Sequence, residues 1–119
     1  MYVATCHCGN VRIETEIRTE TVTECNCSIC VRYGARYAYY QKHQVRLSVG
    51  KAGISSYRWG DKIIEFYHCN RCGCVTHYEC PRNDGTERFA VNVRMFPTDV
   101  YENVRVRHFD GADTWSYID

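Results

Sequence analysis

Apolar residues in this chain alternate with polar ones far more often than they recur at helical spacing. Over residues 11–18, Val11, Ile13 and Ile17 fall on one side of an extended chain, and Arg12, Glu14, Glu16 and Arg18 fall on the other. A period of two marks a strand with one buried face. Val45, Leu47 and Val49 alternate with Arg46 and Ser48 in the same way, and Ile64, Phe66 and His68 face opposite Ile63, Glu65 and Tyr67. The runs 89–93 and 104–107 read as further strands, as does 37–40, rich in aromatics that suit a pleated surface. Gly50, Gly53, Gly60, Gly85 and Gly111 punctuate these segments. Helical spacing is confined to one short turn over 28–33. The pattern predicts a mainly β domain of antiparallel strands.

With 119 residues, 45% of them hydrophobic, the chain is expected to form a single domain over 1–119. A formal net charge of +1 gives no electrostatic case for nucleic acid or a membrane surface as partner. No apolar run approaches transmembrane length. Linkers, low-complexity tracts and solenoid repeats are absent from the sequence.

Nine cysteines change the picture. Seven fall into three tight groups: Cys6-His7-Cys8-Gly9, Cys25-Asn26-Cys27-Ser28-Ile29-Cys30 and Cys69-Asn70-Arg71-Cys72-Gly73. A secreted disulfide framework would favour an even count and an N-terminal basic and apolar leader, which residues 1–6 do not offer. C-x-C pairs also make strained bridges. The expectation is a reduced, cytoplasmic protein whose thiolates hold metal. Soft sulfur ligands in this grouping point to zinc.

The first and last groups each end a strand, and a glycine follows the second thiolate, where a positive φ lets the backbone turn around a metal. Cys6, Cys8, Cys69 and Cys72 are therefore expected to share one structural zinc. Such a clip closes a loop of about sixty residues. Cys25, Cys27 and Cys30 supply three thiolates without a fourth, the arrangement of a zinc with an open position. Glu24 is a poor fourth ligand, because neighbouring strand residues point to opposite faces. Three thiolates make a weak Lewis acid, suited to thiol activation rather than hydrolysis. Cys74 and Cys80 read as small buried hydrophobes. Alternatively, one of them completes the triad, or both join Cys69 and Cys72 in a local four-sulfur site; the strand pattern over 74–78 is expected to carry Cys74 away from Cys72.

Taken in order, these groups resemble the glutathione-dependent formaldehyde-activating family, which includes centromere protein V. The family pattern is C-x-C-G, then C-x-C-x-x-C, then C-x-x-C-G. Val91-Asn92-Val93-Arg94 and His108-Phe109-Asp110-Gly111 with Trp115 are similar too. The resemblance implies a β-tent fold of antiparallel sheets. It implies a structural zinc on Cys6, Cys8, Cys69 and Cys72 and a catalytic zinc, possessing a labile character, on Cys25, Cys27 and Cys30. The implied reaction joins the glutathione thiol to formaldehyde to give S-hydroxymethylglutathione, a carbon–sulfur lyase reaction in reverse. Cys74 departs from the small hydroxyl residue usual after C-x-x-C-G.

Glutathione is anionic, so cations near the triad are of interest: Arg32, Arg36 and Lys42 just beyond it, and Arg71 in the second knuckle. Tyr33, Tyr37, Tyr39 and Tyr40 are candidates to wall a pocket, with sheet packing as the alternative for about half of them. Of the five histidines, His68 and His77 are candidate acid–base groups, weighed against ordinary hydrogen-bonded strand histidines. Two readings compete with an enzyme: a non-catalytic zinc-stabilised β module that binds glutathione or a protein, and a zinc or thiol-redox buffer.

Overall fold

The structure is a computed structural model that describes residues 1–60, 63–82 and 87–119. Its strands are β1 (Tyr2–Thr5), β2 (Val11–Thr15), β3 (Thr21–Cys25), β4 (Tyr37–Tyr40), β5 (Val45–Val49), β6 (Ile54–Tyr57), β7 (Glu65–Cys69), β8 (Val75–Cys80), β9 (Arg88–Asn92) and β10 (Arg105–Phe109). Helices α1 (Ser28–Tyr33) and α2 (Thr98–Tyr101) are each a turn or two long. The fold is mainly β, as the alternation predicts. The turn expected at Gly85 lies outside the described residues.

Two sheets form. A three-stranded sheet has the order β1-β2-β5, and a seven-stranded sheet runs β10-β3-β4-β9-β8-β7-β6. The larger sheet uses both faces, and the pleat decides which residue goes where. On one face Val22, Ala38, Tyr40, Phe89 and Val91 pack against Ala4, Val11 and Ile13 of the small sheet. On the other, Tyr37, Phe66, Tyr78, Cys80 and Ala90 gather around Cys30. A strand buried on both faces reads as a nearly continuous apolar run, which is how Phe89-Ala90-Val91 looks in the sequence.

Several expected boundaries shift. β2 stops at Thr15, whose hydroxyl donates to the Gln44 carbonyl at 2.8 Å and accepts from the Ile17 amide at 3.1 Å. Those bonds bend the chain, so Ile17 ends 41% exposed instead of joining the buried face. β7 begins at Glu65 rather than at Ile63. β6 and α2 have no counterpart in the expected elements; a four-residue helix is too short to show a period. The largest departure concerns strand direction. β10 pairs β3 in parallel, from Arg105 opposite Thr21 to Phe109 opposite Cys25, while the other described pairings are antiparallel. Parallel neighbours end side by side, so the chain leaving β10 arrives beside Cys25. Among the described residues no helix is long and apolar enough to cross a membrane.

Candidate functional site

Cys6 and Cys8 follow β1, and Cys69 and Cys72 close β7 and the turn after it. Gly9 and Gly73 take the positive φ values of 82° and 79° that the knuckles require. The four sulfurs lie within 4.8 Å of one another. Cys8 is 3.7 Å from Cys6 and 3.6 Å from Cys69. Four thiolates around zinc, with bonds of about 2.3 Å, would stand about 3.8 Å apart, so this donor set fits the ion. Amide donors surround the sulfurs: Val11 N–H to Cys6 at 3.2 Å, and Arg71 and Cys72 N–H to Cys69 at 3.3 and 3.4 Å. The Asn10 side chain adds a bond to Cys69 at 3.4 Å. The Cys72 amide and its neighbours lower the Cys69 thiol to about 7. Against the penalty of burial, the Cys74 and Cys8 amides lower Cys72 to about 6. Both values favour the thiolate that a metal needs.

Cys74 contradicts its expected position. Gly73 turns the chain back so that the Cys69 amide donates to the Cys74 carbonyl at 3.0 Å, and β8 begins only at Val75. The Cys74 side chain meets Cys72, and the His7 amide donates to it. It is a fifth thiol on the rim of the four-sulfur cluster. Cys80, 3% exposed, faces the opposite side of the sheet, so a local Cys69, Cys72, Cys74 and Cys80 site does not form.

The second cluster is built where β3 runs into α1. Cys25 ends the strand, Cys27 is the residue before the helix, and Cys30 lies within its first turn. The three sulfurs lie within 4.8 Å of one another. Gly34 caps the helix with a left-handed φ of 63° and donates to the Cys30 carbonyl at 3.0 Å. The Cys30 thiol bonds the Cys25 sulfur, and together with the Cys27 and Gly111 amides it holds Cys25 well below an ordinary thiol. The same bond, and burial, push Cys30 upward. A donor set of three sulfurs, one of them already inclined to ionise, suits a soft cation as well.

The segment after β10 completes this corner. Asn26, between two of the cysteines, donates from its amide nitrogen to Asp110 at 3.0 Å and accepts from Ala112 N–H at 3.0 Å. Its own N–H reaches the Phe109 carbonyl at 3.2 Å. These bonds press Gly111 against the triad so closely that a Cβ there would stand 2.6 Å from the Cys25 sulfur. Asn26 and Gly111 have no assigned role at the sequence level. The only hint is that 108–111 belongs to a shared segment.

A cavity of about 560 Å³ opens over the triad. Its floor follows from the strand register. Tyr39, Ala90, Tyr78 and Phe66 form one row across β4, β9, β8 and β7, and the Tyr39, Tyr78 and Phe66 rings of that row line the cavity. Trp59, 44% exposed, and Trp115, 68% exposed, stand at its sides. Of the candidate tyrosines, Tyr37 and Tyr39 line the cavity. Tyr33 instead packs on Phe66 at 5.5 Å, and Tyr40 belongs to the core under the small sheet.

The cations that line the cavity are not those singled out from sequence. Arg36 pairs with Glu24 at 3.0 Å, Lys42 with Glu79 at 2.8 Å, and Arg32 donates to the Ser28 carbonyl at 2.8 Å. The half-buried Arg88 lines it instead, donating to the Tyr78 hydroxyl at 3.0 Å with its guanidinium 4.8 Å from the Tyr39 ring centre. The exposed Arg82 lines it too. Arg88 could have been found from alternation, since it is in phase with Ala90 on the cavity face. Neither candidate histidine lines the cavity. His77 is buried on the other face, stacked at 4.7 Å on both Tyr67 and Phe89, with Thr76 Oγ1 2.8 Å from its Nδ1. Glu24, spent on Arg36 and on His108 at 3.3 Å, is no triad ligand either.

Fold and site together define a β domain carrying two thiolate clusters able to hold metal ions, one of them beneath a cavity. The family model described as glutathione-dependent formaldehyde-activating enzyme matches residues 1–108, and the chain belongs to that family. The crystal structure of a Rhodobacter sphaeroides protein, a structural-genomics target, is similar with a TM-score of 0.69 and 31% identity, covering 87% of this chain and 98% of the other.

Proposed function

We propose that this protein adds the thiol of glutathione to formaldehyde, forming S-hydroxymethylglutathione, and so is a zinc-dependent carbon–sulfur lyase in the reverse sense. The observation that carries the reading is the convergence of the Cys25, Cys27 and Cys30 sulfurs beneath a cavity of about 560 Å³. That volume lies in the range of small-molecule sites. In this reading Cys6, Cys8, Cys69 and Cys72 hold a structural zinc, and Cys25, Cys27 and Cys30 hold the catalytic one with a position left for the thiol. Zinc bound there supplies a cation that favours the thiolate of an incoming thiol near neutral pH.

The protein's own groups do the rest. Arg88 and Arg82 offer partners for the carboxylates of glutathione. Trp59 and Trp115, at the sides of the cavity, flank the bound adduct. Gly111 and Cys27 N–H groups fix the Cys25 sulfur. The chain works as one domain over 1–119, with a small thiol and an aldehyde as partners rather than nucleic acid or membrane. Seven of the nine cysteines gathered in two clusters able to hold metal suit a reducing, cytoplasmic setting.

The test is the exchange rate between glutathione and its formaldehyde adduct at equilibrium, followed by NMR at neutral pH. Wild type should accelerate exchange in both directions. Cys27→Ser should keep the fold and one zinc but lose the acceleration. Binding without acceleration by wild type would assign the chain to the binding-module class instead.

A further inference from the structure

Tyr37 sits on a central strand, opposite Thr23 of β3 and Asn92 of β9. Thr23 is two residues before Cys25, so the pleat sends Thr23, Cys25 and Tyr37 to the same face. Tyr37 is 2% exposed and lines the cavity over the triad. Its ring is pinned edge-on against Tyr78, with centroids 4.7 Å apart at 75°. Among the described residues its hydroxyl has no hydrogen-bond partner. Two other buried side-chain atoms share that condition, His77 Nε2 and Arg107 Nε, and neither of their residues lines this cavity. A phenylalanine would give the same packing without a stranded donor, so packing does not account for the hydroxyl.

Resting on the glutathione–aldehyde reading of this site, we propose that the Tyr37 hydroxyl is a further catalytic group, donating a hydrogen bond to the aldehyde oxygen as the carbon–sulfur bond forms. In that step the thiolate sulfur joins the carbonyl carbon. The carbonyl π pair moves onto oxygen, and the proton the thiol gave up returns to that oxygen through solvent. Tyr37 keeps its own proton throughout. A phenol is protonated at neutral pH, so it acts as a donor and not as a base. Its bond strengthens as charge builds on oxygen, the differential interaction that accelerates a reaction.

The experiment compares wild type with Tyr37→Phe in three readings. Melting temperature should stay level or rise, because the variant loses no partnered group; a fall of several degrees would show that the hydroxyl has a structural role and overturn the proposal. The exchange rate of glutathione with its formaldehyde adduct should drop by about 100-fold, with the apparent KM for glutathione unchanged. Calorimetry should show wild type preferring the S-hydroxymethyl adduct to S-ethylglutathione, which has a methyl in place of the hydroxyl. That preference, several-fold to about tenfold, should vanish in the variant. An active wild type alongside a variant with the same rate and the same preference overturns the Tyr37 assignment alone. A wild type that binds neither ligand and speeds no exchange overturns the glutathione reading, and the assignment with it.

Discussion

Gly111→Ala tests whether the segment after β10 is part of the triad. A Cβ at this position would lie 2.6 Å from Cys25 Sγ, 3.3 Å from Cys27 Cβ and 3.6 Å from Phe109 Cδ2. Ordinary contact between such atoms is about 3.5–4.0 Å, so the overlap with sulfur is about 1 Å. Gly111 lies outside the left-handed region, so alanine meets no backbone strain and the penalty is the contact itself. The loop has little room to retreat, being tied through Asn26 to Asp110 at 3.0 Å and to Ala112 at 3.0 Å. The Asp110 N–H also donates to the Ser116 carbonyl at 2.8 Å. Overpacking of this kind costs about 1–3 kcal/mol. Taken out of metal binding, that is roughly 5- to 150-fold in affinity. The assay is zinc release to a chromogenic chelator, titrated against wild type, with circular dichroism to follow the sheet. One zinc should compete away at much lower chelator concentration, and the other should be unaffected. A wild-type release curve for both ions would refute the reasoning.

Three further perturbations address the rest of the molecule. Cys72→Ser, by removing a ligand of the four-sulfur cluster, should give unfolded or insoluble protein, because structural zinc contributes folding free energy directly; a soluble variant with full zinc and a wild-type melt would sink that pairing. Arg88→Met should weaken glutathione binding by about tenfold, the scale of a charge-assisted hydrogen bond, and should also lower the melting temperature, since the buried Tyr78 hydroxyl loses its donor; unchanged calorimetric affinity would remove Arg88 from the site. His77, lowered to about 4 by burial and then by Lys42, refuses a proton in the folded protein that the unfolded chain accepts below about 6.5. Stability is therefore lost as pH falls from about 6.5 to 4, by about 3 kcal/mol in all, and His77→Phe should flatten the urea-melt difference over that window.

What the sequence reveals and what it hides divide along physical lines. The cysteine groups are legible because a knuckle is local. Two thiolates, a short turn and a glycine with positive φ at Gly9 or Gly73 make the unit, whatever lies elsewhere. The two faces of the large sheet are legible in part, since period two survives wherever a strand keeps its pleat. Arg88 is within reach of that argument, being in phase with Ala90, whereas Arg32 and Arg36, near the triad in sequence, do not line the cavity. Cys74 is not legible in this way, because the chain is still turning at Gly73 and strand alternation holds only from Val75 onward.

The triad's surroundings are a different matter, because they are made by register between distant strands. Asn26 meets Asp110 across 84 positions, and no local pattern encodes a parallel edge strand. Yet that pairing is what distinguishes the two clusters. Around Cys6, Cys8, Cys69 and Cys72, the knuckles supply four sulfurs and their amide donors from the turns themselves, leaving no coordination position for a substrate. Around Cys25, Cys27 and Cys30, one turn supplies three sulfurs, and β10 delivers Gly111 as a wall without a side chain. A bulkier wall would crowd the sulfurs, and a fourth cysteine would close the site. The sheet face beyond then supplies Tyr37, Tyr78 and Arg88 above the triad. The same ligand chemistry thus gathers four sulfurs at one end of the fold and three beneath a cavity at the other; cysteine spacing sets the count, and strand order sets what surrounds each cluster.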